Sequence, residues 1–160
     1  MSEVIKVGMA DLKICRAPDA LTTLGLGSCV GIALRDPVTK VGGLAHIMLP
    51  DSSIMKNGNV LIPKFADTGI KELIVQMIKA GAKQDRIVAK IAGGAKMFEV
   101  KSDAMAVGDK NVAAVKTILA FYKIPILAED TGLNFGRTVI FHPENGDYVI
   151  KAVGKEIKTI

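Results

Sequence analysis

Apolar residues recur along this chain with two different periods, and the switches between them divide it into elements. Val4 to Met9 reads as a first strand, and Asp11 to Ala20 as a mixed segment in which Pro18 argues against a continuous regular element. Leu21 to Leu24 resumes β character, and a Gly25-Leu26-Gly27-Ser28 turn leads into two apolar runs, Val30 to Arg35 and Lys40 to Met48. Between them Asp36-Pro37-Val38-Thr39 suits a type I turn, since Pro presets φ and Asp accepts a local backbone bond. The spacing of Ala66, Ile70, Leu73, Ile74, Met77 and Ile78 predicts a helix that starts near Asp67 or Thr68 and stops at Gly81. Arg86 to Ala92 follows as a strand ending at Gly93-Gly94. Asp109 to Tyr122 is a second helix with Val112, Val115, Leu119 and Tyr122 on one stripe. Ile126 to Glu129, Thr138 to His142, Tyr148 to Val153 and Glu156 to Thr159 are the remaining strands, with Asn145-Gly146 as a hairpin turn. That order fits an α/β or α+β layered domain better than a regular βαβ repeat. Pro50 to Pro63, with Asp51-Ser52-Ser53 and Asn57-Gly58-Asn59, is a long surface loop placed to wall or cover whatever follows the Lys40 to Met48 strand.

The central hairpin also carries the candidate chemistry. If its loop closes with Arg35 opposite Lys40, Cys29 stands directly opposite His46, with Cβ atoms roughly 4.5 to 5.5 Å apart. A slip of one residue would turn His46 to the other face, and Gly42-Gly43 is a plausible bulge. One face then holds Val30, Ile32, Leu34, Val41, Gly43 and Ala45, suited to a core. The other holds Cys29, Gly31, Ala33, Gly42, Leu44 and His46, mostly small, leaving either space for a substrate or room for a closely packed second layer.

Composition narrows the alternatives. The 160 residues, 49% hydrophobic and 23% charged, suffice for one domain, and no linker divides residues 1–160. The longest apolar stretch, Val41 to Pro50, is far shorter than the roughly 20 residues a membrane helix needs, and Met1 to Met9 has no signal-peptide plan. A soluble cytoplasmic protein without membrane insertion is expected. Two cysteines make no disulfide framework, and Cys15 reads as a small packed thiol. The formal charge of +5 comes from scattered lysines and aromatics are only 4%, which argues against nucleic-acid binding and suits an acidic protein partner.

A cysteine beside a histidine acts as a nucleophile when the imidazole takes the thiol proton. Attack on an amide needs donors for the developing oxyanion, which the turn at Gly27, Ser28 and Cys29 can supply from backbone N–H groups. Thr23 can hold the imidazole, with Asp36 and Asp51 as carboxylate alternatives. Spacing alone leaves open the plainer reading of a buried thiol and a satisfied histidine. His142 reads as a turn residue. Gly25-Leu26-Gly27 lacks the third glycine of a dinucleotide loop, and Gly93-Gly94-Ala95-Lys96 lacks a full phosphate-loop pattern. There is no metal-ligand cluster, so the expected chemistry uses no metal and no cofactor.

Four stretches, Thr23-Leu24-Gly25-Leu26-Gly27-Ser28-Cys29-Val30, Ala45-His46-Ile47-Met48-Leu49-Pro50-Asp51, Lys90-Ile91-Ala92-Gly93-Gly94-Ala95 and Ala128-Glu129-Asp130-Thr131-Gly132, together resemble the CheD family of chemoreceptor glutamine deamidases. The resemblance runs from about Val4 to Gly154. It implies a single-domain α/β/β layered fold related to the deamidating bacterial toxins, and a Cys-His-Thr triad on Cys29, His46 and Thr23. It implies protein-glutamine glutaminase activity on methyl-accepting chemoreceptors, with receptor methyl esters as a possible second substrate. The family's other partner is CheC, a phosphatase of phosphorylated CheY. Gly93, Gly94, Met97 and Phe98 are candidates for the substrate or partner face, the last two because large apolar residues in loops often serve interfaces. Two other functions compete: a non-catalytic regulator that binds receptor and CheC, and a cysteine hydrolase of small amides or peptides.

Overall fold

The computed structural model describes residues 2–55, 58–97 and 106–160. Among the described residues ten strands and two α-helices follow in chain order: β1 Val4–Lys6, β2 Asp11–Arg16, β3 Ala20–Leu26, β4 Val30–Asp36, β5 Val41–Ile47, α1 Ala66–Lys79, β6 Val88–Gly93, α2 Val107–Phe121, β7 Ile126–Thr131, β8 Arg137–His142, β9 Asp147–Lys151 and β10 Lys158–Thr159. The strands form two five-stranded sheets, β2-β5-β4-β6-β7 and β1-β3-β8-β9-β10. The helices cover the outer face of the first sheet and the second sheet covers its inner face, giving the α/β/β layering.

The alternation along β4 and β5 produces this arrangement. Val30, Ile32, Leu34, Val41, Ala45 and Ile47 meet Ile70, Leu73 and Met77 of α1 and Val115 and Leu119 of α2. Each such large side chain, fully buried, contributes roughly 1.5–3 kcal/mol. On the inner face Cys29, Ala33 and Leu44 pack with Leu21, Leu26, Val139, Phe141 and Tyr148 of the second sheet. The small side of the hairpin is therefore small because another sheet lies on it. A Cβ on Gly31 would stand 2.6 Å from the Tyr148 hydroxyl, which donates to the Gly31 carbonyl at 3.0 Å. At Gly42 a Cβ would stand 2.8 Å from Cβ of Pro143.

The hairpin register differs from the expected one. Asp36 pairs with Val41, the loop is residues 37–40, and Gly31 rather than Cys29 stands opposite His46. Asp36 extends the strand because its buried carboxylate accepts from Val38 N–H at 2.9 Å, Lys83 N–H at 3.0 Å and Arg86 Nη2 at 2.8 Å. Lys40 takes a φ of 56° and closes the turn by donating its N–H to the Asp36 carbonyl at 2.8 Å. The pairing slips by two, which preserves alternation, so Cys29 and His46 still share a face.

The mixed segment Asp11 to Ala20 resolves into a strand and a turn. β2 runs to Arg16, the Ala17–Pro18 peptide is cis, and the chain passes there from one sheet into the other. Pro18 interrupts no ladder because it stands between strands. The loop after β5 is tied at its base, where the Lys64 carbonyl accepts Met48 N–H at 2.8 Å and Leu49 N–H at 3.1 Å. It rests on the start of α1 through Ser52, whose hydroxyl donates to Asp67 at 2.6 Å.

Candidate active site

Three elements deliver the candidate triad. Pairing of β3 with β8 is regular through Thr23↔Val139 and resumes at Leu26↔Arg137, so a bulge lies between. It throws Leu24 and Gly25 outward, where both are exposed, and bends the chain into the turn before Cys29. Gly25 takes a φ of 70° there, a conformation glycine adopts without a Cβ clash. Cys29 follows just before β4, buried at 7% exposure. His46 lies in the middle of β5 at 0% exposure, and Thr23 reaches it from the opposing sheet.

The hydrogen bonds assign the imidazole's tautomer. Thr23 Oγ1 lies 2.7 Å from His46 Nδ1 and 2.8 Å from the Val7 carbonyl. A carbonyl only accepts, so the single hydroxyl proton goes to Val7 and Thr23 must accept from Nδ1–H. In the neutral ring Nε2 then carries the lone pair, and Nε2 is buried without a hydrogen-bond partner. Cys29 is the diagonal neighbour of His46 on the same face, two residues before Gly31, a relation that places Cα atoms roughly 7–8 Å apart and within reach of a ring. No hydrogen bond joins the two side chains among the described residues, as is common before a substrate tightens such a site.

Burial acts on both groups against charge. It pushes the Cys29 thiol above its ordinary value, partly offset by the residue's own N–H lying against Sγ, and it pushes the His46 imidazole below its ordinary value. Burial thus favours the uncharged form of each group.

Expected alternatives to Thr23 do not reach the ring. Asp36 lies at the far end of the hairpin, where burial opposes its charge but Arg86 and backbone N–H groups hold the carboxyl well below the usual range. Asp51 accepts from Ser53 N–H at 2.9 Å and Ser53 Oγ at 2.8 Å. Asp11 of β2, not singled out from sequence, does stand opposite His46, but its carboxylate accepts from Leu12 N–H at 2.8 Å.

Gly93 and Gly94, expected on a substrate or partner face, are buried behind Cys29. Gly94 N–H donates to the Cys29 carbonyl and Ala95 N–H to the Gly27 carbonyl, both at 2.8 Å. Gly93 has a φ of 109°, and a Cβ there would overlap the Cys29 carbonyl. Met97 is 46% exposed, and its Cγ would stand 3.3 Å from a Cβ on Gly27, so it rims the turn before Cys29. Phe98 lies outside the described residues.

Two supporting residues escaped the sequence reading. Asn111 of α2 is fully buried and donates to the Ser28 carbonyl at 2.9 Å and the Met48 carbonyl at 3.0 Å. Its signal was a polar residue on the buried stripe Gly108, Asn111, Val115, Leu119. Arg137, also buried, bonds Asp130 at 3.0 Å and the Gly132 carbonyl at 3.1 Å, bracing the segment whose Gly132 N–H donates to Gly93. Among the described residues there is no group of three or more His, Cys, Asp or Glu able to hold a metal, and no helix is long and apolar enough to cross a membrane.

Comparison with known proteins adds the family. Residues 48–152 match the family model for CheD chemotactic sensory transduction. The chain is 57% identical to the probable chemoreceptor glutamine deamidase CheD of Lachnoclostridium phytofermentans, with all of both chains covered. It is 52% identical to the corresponding protein of Caldanaerobacter subterraneus subsp. tengcongensis over 99% of each chain. With the chemoreceptor glutamine deamidase CheD of Bacillus subtilis the identity is 46%, covering 98% of this chain and 96% of that one. A family match spanning most of the chain, together with relatives this similar from end to end, means that the chain belongs to the CheD family.

Proposed function

We propose that this protein is a protein-glutamine deamidase that converts glutamine side chains of methyl-accepting chemoreceptors to glutamates and releases ammonia. One observation carries the chemistry: the Thr23 hydroxyl proton is committed to Val7, so His46 presents an unprotonated Nε2 on the face that carries Cys29. Names of relatives similar over the whole chain carry the substrate class.

In the first half-reaction His46 Nε2 takes the thiol proton as Sγ forms a bond to the carboxamide carbon. The C=O π pair moves onto oxygen, where the Cys29 N–H donates to it. When the π bond reforms, the C–N bond breaks and the imidazolium returns its proton to nitrogen, so ammonia leaves and a thioester remains. Water then attacks the thioester carbon as Nε2 takes its proton, and the second collapse breaks the C–S bond as the imidazolium passes that proton to sulfur. Glutamate and the thiol result. Thr23 holds the ring throughout and compensates Nδ1–H as the imidazolium forms. A receptor methyl ester enters by the same thioester, with methanol leaving in place of ammonia.

The exposed Leu24 and Met97 beside the nucleophile turn suit a protein substrate, and CheC would occupy the same rim in competition with receptor. Mass spectrometry of a purified receptor cytoplasmic fragment tests the reading. Wild type should convert defined glutamines with matching ammonia release, and Cys29→Ala should lower the rate at least about 10⁴-fold while still binding the fragment. A receptor effect that survives in Cys29→Ala without conversion would replace the enzyme by a binding regulator.

A further inference from the structure

The α2 side chain Asn111 bridges two places that the reaction needs to hold still. Its Nδ2 donates one proton to the Ser28 carbonyl, directly before the nucleophile, and the other to the Met48 carbonyl, two residues beyond the base. Two acceptors at Nδ2 fix which end of the amide faces them, because only nitrogen donates. Oδ1 is left buried without a partner. That is the reverse of what packing would select, since an unpaired buried acceptor is destabilising. The orientation is therefore imposed by the two carbonyls.

The Ser28 carbonyl and the Cys29 N–H are opposite ends of one planar trans peptide and point in opposite directions. Asn111 lies in the helix layer, so holding the carbonyl toward α2 aims the N–H toward the layer between the sheets. The Cys29 side chain lies in that layer, packed with Leu26, Ala92 and Tyr148. The helix can come this close because Gly108 has no Cβ; one there would stand 2.6 Å from the Gly94 carbonyl.

We infer that Asn111 is a positioning residue for the oxyanion site, acting through the Ser28–Cys29 peptide while fastening the end of β5 to the same point. This rests on the deamidase reading for its physiological meaning, but its chemistry can be measured without it. Acylation of Cys29 by p-nitrophenyl acetate passes through an oxyanion, whereas alkylation by iodoacetamide, a displacement at a saturated carbon, does not. The ratio of the two rates isolates the N–H.

In a Cys15→Ala background, Asn111→Leu should lower the acylation rate about 30- to 100-fold, a fraction of the loss seen when an oxyanion donor is removed outright. The alkylation rate and its pH midpoint should stay within about twofold. On the receptor fragment kcat should fall in proportion, with KM little changed. A parallel fall of acylation and alkylation would overturn the inference by showing general loosening, as would an unchanged ratio or a wild-type Cys29 that is alkylated but never acylated. The near-isosteric Asn111→Asp, which replaces the donors by acceptors, provides the same readout if the leucine variant does not fold. In wild type, NMR of the Cys29 amide should show a downfield proton shift when a small aldehyde forms a hemithioacetal, and an unmoved amide also overturns it. A lowered ratio in a protein whose wild type leaves receptor glutamines intact would sink the deamidase reading and leave Asn111 in its role.

Discussion

The two ends of β4 treat their buried polar groups in opposite ways. At one end the Asp36 carboxylate is inaccessible, and both its oxygens accept from Arg86 and from backbone N–H groups of the turn and of Lys83. At the other end Nε2 of His46 and Oδ1 of Asn111 are equally inaccessible and have no partner. The same strand thus carries a closed polar network and an open one. A closed network adds to folding; an open one weakens it slightly and leaves a lone pair available to a visiting molecule.

Removing Asp36 tests this contrast hardest. Asp36→Ala strands Arg86 and the turn N–H groups, and should cost about 3 kcal/mol in denaturant unfolding while turnover per folded molecule is unchanged. A loss of turnover without a loss of stability would erase the distinction between the two ends. Thr23→Val should do the converse. It leaves Nδ1–H and the Val7 carbonyl unpaired, so kcat should fall roughly 30- to 100-fold, with a smaller effect on stability of about 1 kcal/mol. Thr23→Ser, which keeps the hydroxyl, should stay within a few-fold.

The smallest effect concerns pH. Burial lowers the folded pKa of His46 below its ordinary 6.5, so below that pH the unfolded chain binds a proton that the folded chain does not. Stability should therefore decline as pH falls below about 6.5, with a slope from this group no steeper than about 1.4 kcal/mol per pH unit. His46→Gln should flatten that decline. Asp36 works at lower pH: its depressed carboxyl stabilises the fold above the unfolded carboxylate value of about 3.9, and this is lost only as pH falls through the lower folded value. Urea midpoints from pH 7 down to about pH 2 separate the two, because only the first step disappears in the His46 variant.

Sequence made the parity of the hairpin plain, since alternation repeats at every position of β4 and β5 and survives a slip of two. The register was hidden because Asp36 obeys two masters: as a turn residue it belongs to the loop, but its partner Arg86, fifty positions away, pulls it into the strand. β2 was obscured by Pro18, a strand breaker in a ladder but harmless in the turn it occupies. Cys29, His46 and Thr23 were singled out because a recognisable pattern surrounds them, whereas Asn111 and Arg137 belong to elements whose local pattern gives no hint of which backbone carbonyls they will meet. Gly93 and Gly94 stood out as the end of a strand and as candidates for a partner face, but their lack of a side chain is used inward, on the Cys29 backbone.

Thr23 and His46 come from different sheets, and this bears on when the protein becomes reactive during its own synthesis and folding. Until the two faces close on one another, Thr23 cannot accept from Nδ1–H and the imidazole has no fixed tautomer. On the deamidase reading, reactivity toward amides is therefore a late property, acquired only when the two layers dock, and an incompletely folded chain carries an unaroused cysteine rather than an indiscriminate one.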